Sequence, residues 1–188
     1  DLARVREDTL VLDPFCGSGT LLIEAATKAL RIAPGLKRRF SAEGWGLVPE
    51  GEWQQVRQES FENIKRRGAF QAVGSDNDPH AIKLTHDNAQ RAGVGVKVKC
   101  GVADIAAFVP PEEPFTLLTN PPYGQRMLEL HQAEELYRTM GRVFVPGEGR
   151  SYYIISPHEH FENLFGRQAS RRRKLYNGMV KCQLYMFF

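Results

Sequence analysis

Long apolar runs are missing from this chain: nothing approaches the ~18 consecutive apolar residues of a membrane-spanning helix. Cysteine is sparse. Cys16, Cys100 and Cys182 lie far apart and form no CxxC pair, which argues against a disulfide framework and against a structural zinc site. The opening Asp1-Leu2-Ala3-Arg4-Val5-Arg6-Glu7-Asp8 is charged where a secretory leader would be apolar, so a reducing cytoplasm is the expected compartment. Two nucleotide signatures are incomplete. Asp13-Pro14-Phe15-Cys16-Gly17-Ser18-Gly19-Thr20 has neither GxGxxG spacing nor a GK[ST] continuation, so NAD and the phosphates of ATP find little support. A strong excess of one charge is absent as well. The 25 Lys+Arg against 22 Asp+Glu leave a net of +3, which permits a nucleic-acid partner without requiring one. The first residue is not Met, which fits a domain cut from a longer protein.

What is present is an ordinary globular composition. With 188 residues, 42% hydrophobic and 25% charged, the chain suits one domain with a substantial core. Thr9 to Asp13 reads as a short buried strand, and Thr20 to Ile32 as a helix stopped near Pro34-Gly35. Residues 34 to about 68 break the rhythm and read as an insertion packed on the domain, with a helix from about Glu52 to Arg67. Alternation then resumes. Strands are expected at Phe70 to Asp76, Val96 to Cys100, Phe115 to Thr119 and Tyr152 to Ile155. Helices are expected at Pro79 to Ala92, Glu129 to Phe144 and His160 to Phe165, and two strand-like runs flank the turn at Asn177-Gly178. No internal repeat or low-complexity tract is visible.

Strand–helix alternation implies an open α/β sheet, mainly parallel, covered on both faces, with ligands bound beyond the carboxyl ends of the strands. Asp13, Asp76, Asp104 and Asn120 each follow a strand in this reading and so gather at one edge. Gly17 and Gly19 would let the first loop turn tightly and approach a ligand; a plain strand-to-helix turn explains them equally well. Ser18 or Thr20 could cap the following helix. Asp76 could accept both ribose hydroxyls of an adenosine, whereas Asp78, beside Pro79, suits a helix cap. Asp104 could accept from an adenine amino group or could cap a helix.

Asn120-Pro121-Pro122-Tyr123 carries the chemistry. An exocyclic base amine is a weak nucleophile because its lone pair is delocalised into the ring. The Asn120 side-chain oxygen and the Pro121 carbonyl are suited to accept its two N–H bonds, and Pro122 stiffens that carbonyl's direction. Tyr123 offers a face on which an extruded base can stack. A buried Pro-Pro turn is the plain alternative. Together with the upstream glycine loop, the tetrad points to methyl transfer from S-adenosyl-L-methionine to an exocyclic nitrogen, with no metal and no catalytic nucleophile needed.

Five stretches, DPFCGSGTLLIEAA (13–26), IAPGLKRRF (32–40), GSDNDPHAI (74–82), TNPPYGQRM (119–127) and RRRKLYNGMVKCQLYMFF (171–188), resemble the catalytic domain of bacterial THUMP-associated RNA guanine-N2 methyltransferases. That group is related to the large-subunit (23S) ribosomal RNA enzymes. The resemblance implies a Rossmann-like class I fold with seven strands, the last antiparallel, and S-adenosyl-L-methionine as donor. It places Asp13, Cys16, Gly17, Gly19, Asp76, Asn77 and Asp104 around the cofactor, and Asn120, Pro121, Pro122 and Tyr123 around the target base. It also implies an RNA partner, ribosomal or transfer, and an N-terminal THUMP domain that this sequence lacks.

Three basic runs, Lys37-Arg38-Arg39, Lys65-Arg66-Arg67 and Arg171-Arg172-Arg173-Lys174, could contact phosphate or could simply be solvated ends. His158-Glu159-His160 reads as a polar cluster at a helix start rather than a metal site. Trp45 and Trp53 are expected to pack inside the insertion, and Cys16 to be a small neighbour of the cofactor rather than a reactive thiol. Adenine N6 in DNA or RNA is the competing substrate, since the chemistry of Asn120 to Tyr123 suits any exocyclic amine. A non-catalytic RNA-binding module is the other alternative, although neither the glycine loop nor Asn120 is lost.

Overall fold

The computed structural model describes residues 2–124 and 127–188. The elements run β1 (Leu10–Asp13), α1 (Thr20–Ala29), α2 (Glu50–Glu62), β2 (Gln71–Asp76), α3 (Pro79–Ala92), β3 (Val98–Val102), β4 (Phe115–Thr119), α4 (Met127–Val143), β5 (Arg150–Ser156), α5 (Phe161–Phe165), β6 (Arg171–Asn177) and β7 (Val180–Phe187). Short 3-10 turns occupy Ser41–Trp45 and Ile105–Ala107.

All seven strands form one sheet in the order β3-β2-β1-β4-β5-β7-β6. Strands β1 to β5 pair in parallel, and β7 runs antiparallel to both β5 and β6. The chain therefore begins in the middle, winds outward through β2 and β3, and returns across β1 to build β4 and β5. The reversal puts a crevice at the carboxyl ends of β1 and β4.

Burial explains why these residues choose these elements. Residues Val11, Leu22, Ala26, Phe70, Ala72, Ile82 and Val98 join α1 and α3 to one face. On the other face Leu117, Tyr137, Met140, Phe144, Tyr152, Ile154, Phe161 and Phe165 pack α4 and α5. A third, smaller cluster, Tyr153, Leu184 and Met186, packs against Ala3, Leu118, Ile155 and Leu175, none of them helical. Helix α3 has the start and stop that its sequence announces. Asp78 accepts from His80 N–H at 2.8 Å, Pro79 fills the first turn, and Gly93 ends the helix at φ 78°.

Several expectations shift. Helix α1 stops at Ala29 because Arg31 turns left-handed at φ 56°. Strand β3 lies two residues later than the Val-Lys-Val-Lys alternation implied: Val94 O accepts from Lys97 and Val98 N–H, so the run opens inside a turn. Helix α2 ends at Glu62, buries no residue, and is tethered by Arg57, which donates to the carbonyls of Leu36 and Arg38 and to Glu43. Trp53 stacks on Phe40 at 6.3 Å, but Trp45 is 67% exposed and is not a packing residue of the insertion. No helix among the described residues is long and apolar enough to cross a membrane.

Helix α4 meets α5 at Gly141, where an added Cβ would lie 2.1 Å from the Phe165 carbonyl oxygen. Gly141→Ala must push the two helices apart, and we expect it to lower stability by about 1–3 kcal/mol in urea titration. An unchanged midpoint would show that the contact yields at no cost.

Candidate active site

A cavity of about 420 Å³ opens at the carboxyl edge of the sheet, within the range of small-molecule sites. The loops after β1, β2, β3 and β4 all contribute to it. Its lining includes Gly17, Asp76, Asn77, Asp104, Asn120, Pro121, Pro122 and Tyr123. Asp13, Cys16 and Gly19 are not among the lining residues. A larger cavity of about 790 Å³ lies at the other end of the sheet, between α2 and the end of α3, and its lining holds no carboxylate.

The glycine loop is held by the acid at the end of β2. Asp76 Oδ2 accepts from Gly17 N–H at 3.0 Å, and its Oδ1 accepts from Asp78 N–H at 3.1 Å. From α3, Thr85 donates to Gly17 O at 2.8 Å and Asn88 to Ser18 O at 2.9 Å. Gly17 sits at φ 53° with no heavy atom within 4 Å of where a Cβ would stand. That face of the loop is open, so a ligand can approach its backbone. Gly19 is different: it is the N-cap of α1 at φ 81°, and a Cβ there would meet Thr85 Cγ2 at 2.8 Å. It serves helix packing. Neither Ser18 nor Thr20 caps α1; their hydroxyls bond each other at 3.0 Å.

Asp13 stands behind the cavity and is only 2% exposed. Its Oδ1 accepts from Thr119 Oγ1 at 2.7 Å and from Phe15 N–H at 3.1 Å, bracing the end of β1 against the end of β4. Burial pushes its carboxyl up to about 7, against the opposing pull of the Thr119 and Phe15 hydrogen bonds. Cys16 is also buried, its thiol pushed up to about 12 by burial and its Sγ 3.8 Å from Thr85 Oγ1. It is an inert core group. Asp104 is an N-cap: its Oδ1 accepts from Ala106 N–H at 2.7 Å, while the residue still lines the cavity.

The loop after β4 is braced from two sides. Tyr137, on the buried face of α4, donates to Pro122 O at 3.3 Å and accepts from Ser156 Oγ at 3.3 Å. Tyr123 turns its hydroxyl onto Asn120 Oδ1 and accepts from Asn177 Nδ2 at 3.2 Å. Burial pushes the Tyr123 hydroxyl up to about 12, so it keeps its proton and acts as a donor. Asn120 itself is exposed. Sequence reading missed Tyr137 and Asn177, because the spacing of Tyr137 marks only a core position and Asn177 looks like a turn residue. His158 Nδ1 accepts from His160 N–H at 3.1 Å, which makes that pair a helix opening, and no group of three metal-ligating side chains occurs among the described residues.

This sheet order, with a ligand-sized cavity at the carboxyl edge where it reverses, is Rossmann-like. The family match and a ligand-bound relative make it the class I methyltransferase fold, whose methyl donor is S-adenosyl-L-methionine. Residues 1–186 match the family described as UPF0020, RMKL-like methyltransferase domain, and the chain belongs to that family. YpsC of Bacillus subtilis strain 168, provisionally named an RNA methyltransferase, is 35% identical over 181 residues, covering 96% of this chain and 47% of its own length. The ribosomal RNA large subunit methyltransferase K/L of Shewanella frigidimarina strain NCIMB 400 is 36% identical over 183 residues, covering 94% of this chain and 26% of its own. Among solved structures, SMU.472, provisionally described as a methyltransferase and complexed with S-adenosylhomocysteine (SAH), superposes with a TM-score of 0.94 at 36% identity. That match covers 100% of this chain and 50% of SMU.472. The chain thus spans about half or less of these three relatives.

Buried Asp13 generates a pH dependence. The native carboxyl keeps its proton up to about 7, whereas an unfolded aspartate releases it near 3.8. Folding takes up a proton between these values, so this contribution to stability is full below the lower value and is lost as pH rises through the upper one. Asp13→Asn keeps an oxygen acceptor and cannot ionise. Its stability relative to the parent should rise with pH across this window in urea titrations; parallel curves would contradict the burial argument.

Proposed function

We propose that this domain transfers a methyl group from S-adenosyl-L-methionine to the exocyclic N2 of a guanine in RNA, with 23S ribosomal RNA the favoured substrate. One observation carries the reading: a single cavity joins the open glycine turn and strand-end acids to the loop Asn120 to Tyr123. The relatives' names support RNA, and guanine N2 rests on the resemblance to the THUMP-associated enzymes. Transfer RNA, or adenine N6 in DNA or RNA, is the alternative that the same chemistry allows.

In this reading the Gly17 backbone, Asp76 and Asn77 hold the donor's amino-acid and ribose parts, and Asp104 faces its adenine. Asp13, Cys16 and Gly19 shape that wall from behind. When bound, the donor supplies an electrophilic methyl on a sulfonium, already a good leaving group. The chain's own residues supply geometry and acceptors. Asn120 Oδ1 and the Pro121 carbonyl accept the two amine N–H bonds and aim the nitrogen lone pair, and the surplus proton passes to solvent. Tyr123 releases Asn120 when a base enters and stacks on it. Tyr137 keeps the Pro-Pro peptide in register by bonding Pro122 O.

Transfer of labelled methyl to total RNA, followed by nucleoside analysis, tests the assignment. N2-methylguanosine is expected. Label in N6-methyladenosine would replace the substrate base, and absence of label in RNA would remove the proposal. Asn120→Ala should reduce turnover by about two orders of magnitude while SAH binding by calorimetry stays near parental. Asp76→Ala should do the reverse first, weakening SAH binding roughly ten- to hundredfold, as expected for lost charge-assisted hydrogen bonds. Parental turnover in the Asn120 variant would remove the mechanism.

A further inference from the structure

The β6–β7 hairpin carries charge that the cavity chemistry does not use. Its register sets Lys174 opposite Gln183 and Tyr176 opposite Lys181. Side chains alternate along a strand and paired residues share a face, so Lys174, Tyr176 and Lys181 stand together on one side of the ribbon. All three are exposed, Tyr176 by 62%. Lys174 Nζ lies 5.4 Å from the Tyr176 ring centroid, covering one face of the ring. Neither lysine has a carboxylate partner among the described residues, whereas Arg172 is paired with Glu162, Lys65 with Glu7 and Arg39 with Glu43. The result is an exposed aromatic ring with one lysine over it and a second directly across the ladder, neither in an ion pair among the described residues.

Position gives this cluster its meaning. Strand β5 ends where Ser156 pairs with Gln183. The rungs Leu175–Cys182, Tyr176–Lys181 and Asn177–Val180 continue beyond it, about 10 Å at roughly 3.4 Å per residue, at the carboxyl edge where the cavity opens. There the other face of the ribbon, at Asn177 and Cys182, touches the loop assigned to the target base. Lys174, Tyr176 and Lys181 therefore stand on the outer side of a hairpin that borders that loop. Asn177 Nδ2 donates to Tyr123 Oη at 3.2 Å, and Cys182 Sγ lies 3.9 Å from the same oxygen. A strand of nucleic acid whose base entered the cavity would pass over this hairpin.

We propose that the hairpin face is the docking surface for the RNA segment flanking the target base. Tyr176 stacks on a neighbouring nucleobase, and Lys174 and Lys181 hold phosphates to either side. The proposal rests on the methyl-transfer reading above and adds the place where the substrate is gripped. Sequence-tolerant grip by an aromatic face with flanking cations is the usual physics of single-stranded RNA binding.

The test is fluorescence anisotropy of a fluorescein-labelled single-stranded RNA across a salt series, with SAH calorimetry on the same proteins. Lys174→Glu/Lys181→Glu should weaken RNA binding at least about tenfold and reduce the salt slope by about 2. Tyr176→Ala should weaken it about tenfold, and Tyr176→Phe, which keeps the stacking face, should not. SAH affinity should be parental in all three, which excludes misfolding. Arg66→Glu/Arg67→Glu, a reversal at the amino ends of the strands, should leave RNA binding unchanged. Parental RNA affinity in the lysine pair variant, or an equal loss from the Arg66 and Arg67 pair, overturns the surface, as does an unaltered chain that binds no RNA. Failure of the functional reading looks different: the unaltered chain would bind RNA and SAH yet transfer no methyl.

Discussion

Two carboxyl groups at the ends of neighbouring strands each bond a different strand's segment, and together they brace the wall of the cavity. Asp76 on β2 takes the Gly17 N–H of the loop after β1, and Asp13 on β1 takes the Thr119 hydroxyl at the end of β4. A parallel sheet fixes the strands but leaves its loops free to splay. These cross-links tie the loop after β1 to the end of β2, and the end of β1 to the end of β4. The arrangement uses its acids differently: Asp76 stays at the surface of the cavity, whereas Asp13 is enclosed and its carboxyl rises to about 7.

In the methyl-transfer reading proposed above, Tyr123 occupies the acceptor that the chemistry would need. Its hydroxyl lies on Asn120 Oδ1 and is steadied by Asn177, so a base amine has to displace a protein donor before it is gripped. In that reading the competition would favour a ligand whose N–H groups can replace the Tyr123 hydrogen bond to Asn120. The carbonyl side of the site has no comparable freedom. Tyr137 and Ser156 tie Pro122 to the core.

Much of the fold was legible because local signals and burial agreed. Asp78, Pro79 and Gly93 bracket α3 by side-chain chemistry alone, and the apolar run Phe115 to Thr119 could only be a strand buried on both faces. Legibility failed where tertiary pairing overrode pattern. The Val-Lys alternation near Val96 was read as the strand itself, but the ladder from Ala72–Val98 to Asp76–Val102 decides where β3 begins. The site divides along the same line. Residues placed by strand ends, such as Asp76 and Asn120, were readable from order along the chain, and Asn77 only from the family resemblance. Gly19 looks identical to Gly17 in sequence, yet only packing against Thr85 distinguishes a helix joint from an open turn. Tyr137 is invisible for the converse reason: a buried tyrosine at helical spacing gives no hint of the carbonyl it reaches.

Helix α2 has a different kind of hold on the molecule. It has no fully buried residue, and it is attached to the neighbouring loop by the Arg57 guanidinium with its three oxygen partners and by Trp53 stacked on Phe40. Apolar burial gives the sheet its cooperativity, and this segment shares little of it. Its backbone amides are therefore expected to exchange with solvent through smaller openings than those of β1 and β4. The sheet thus holds together through its apolar faces, whereas this helix is held by one guanidinium and one ring stack.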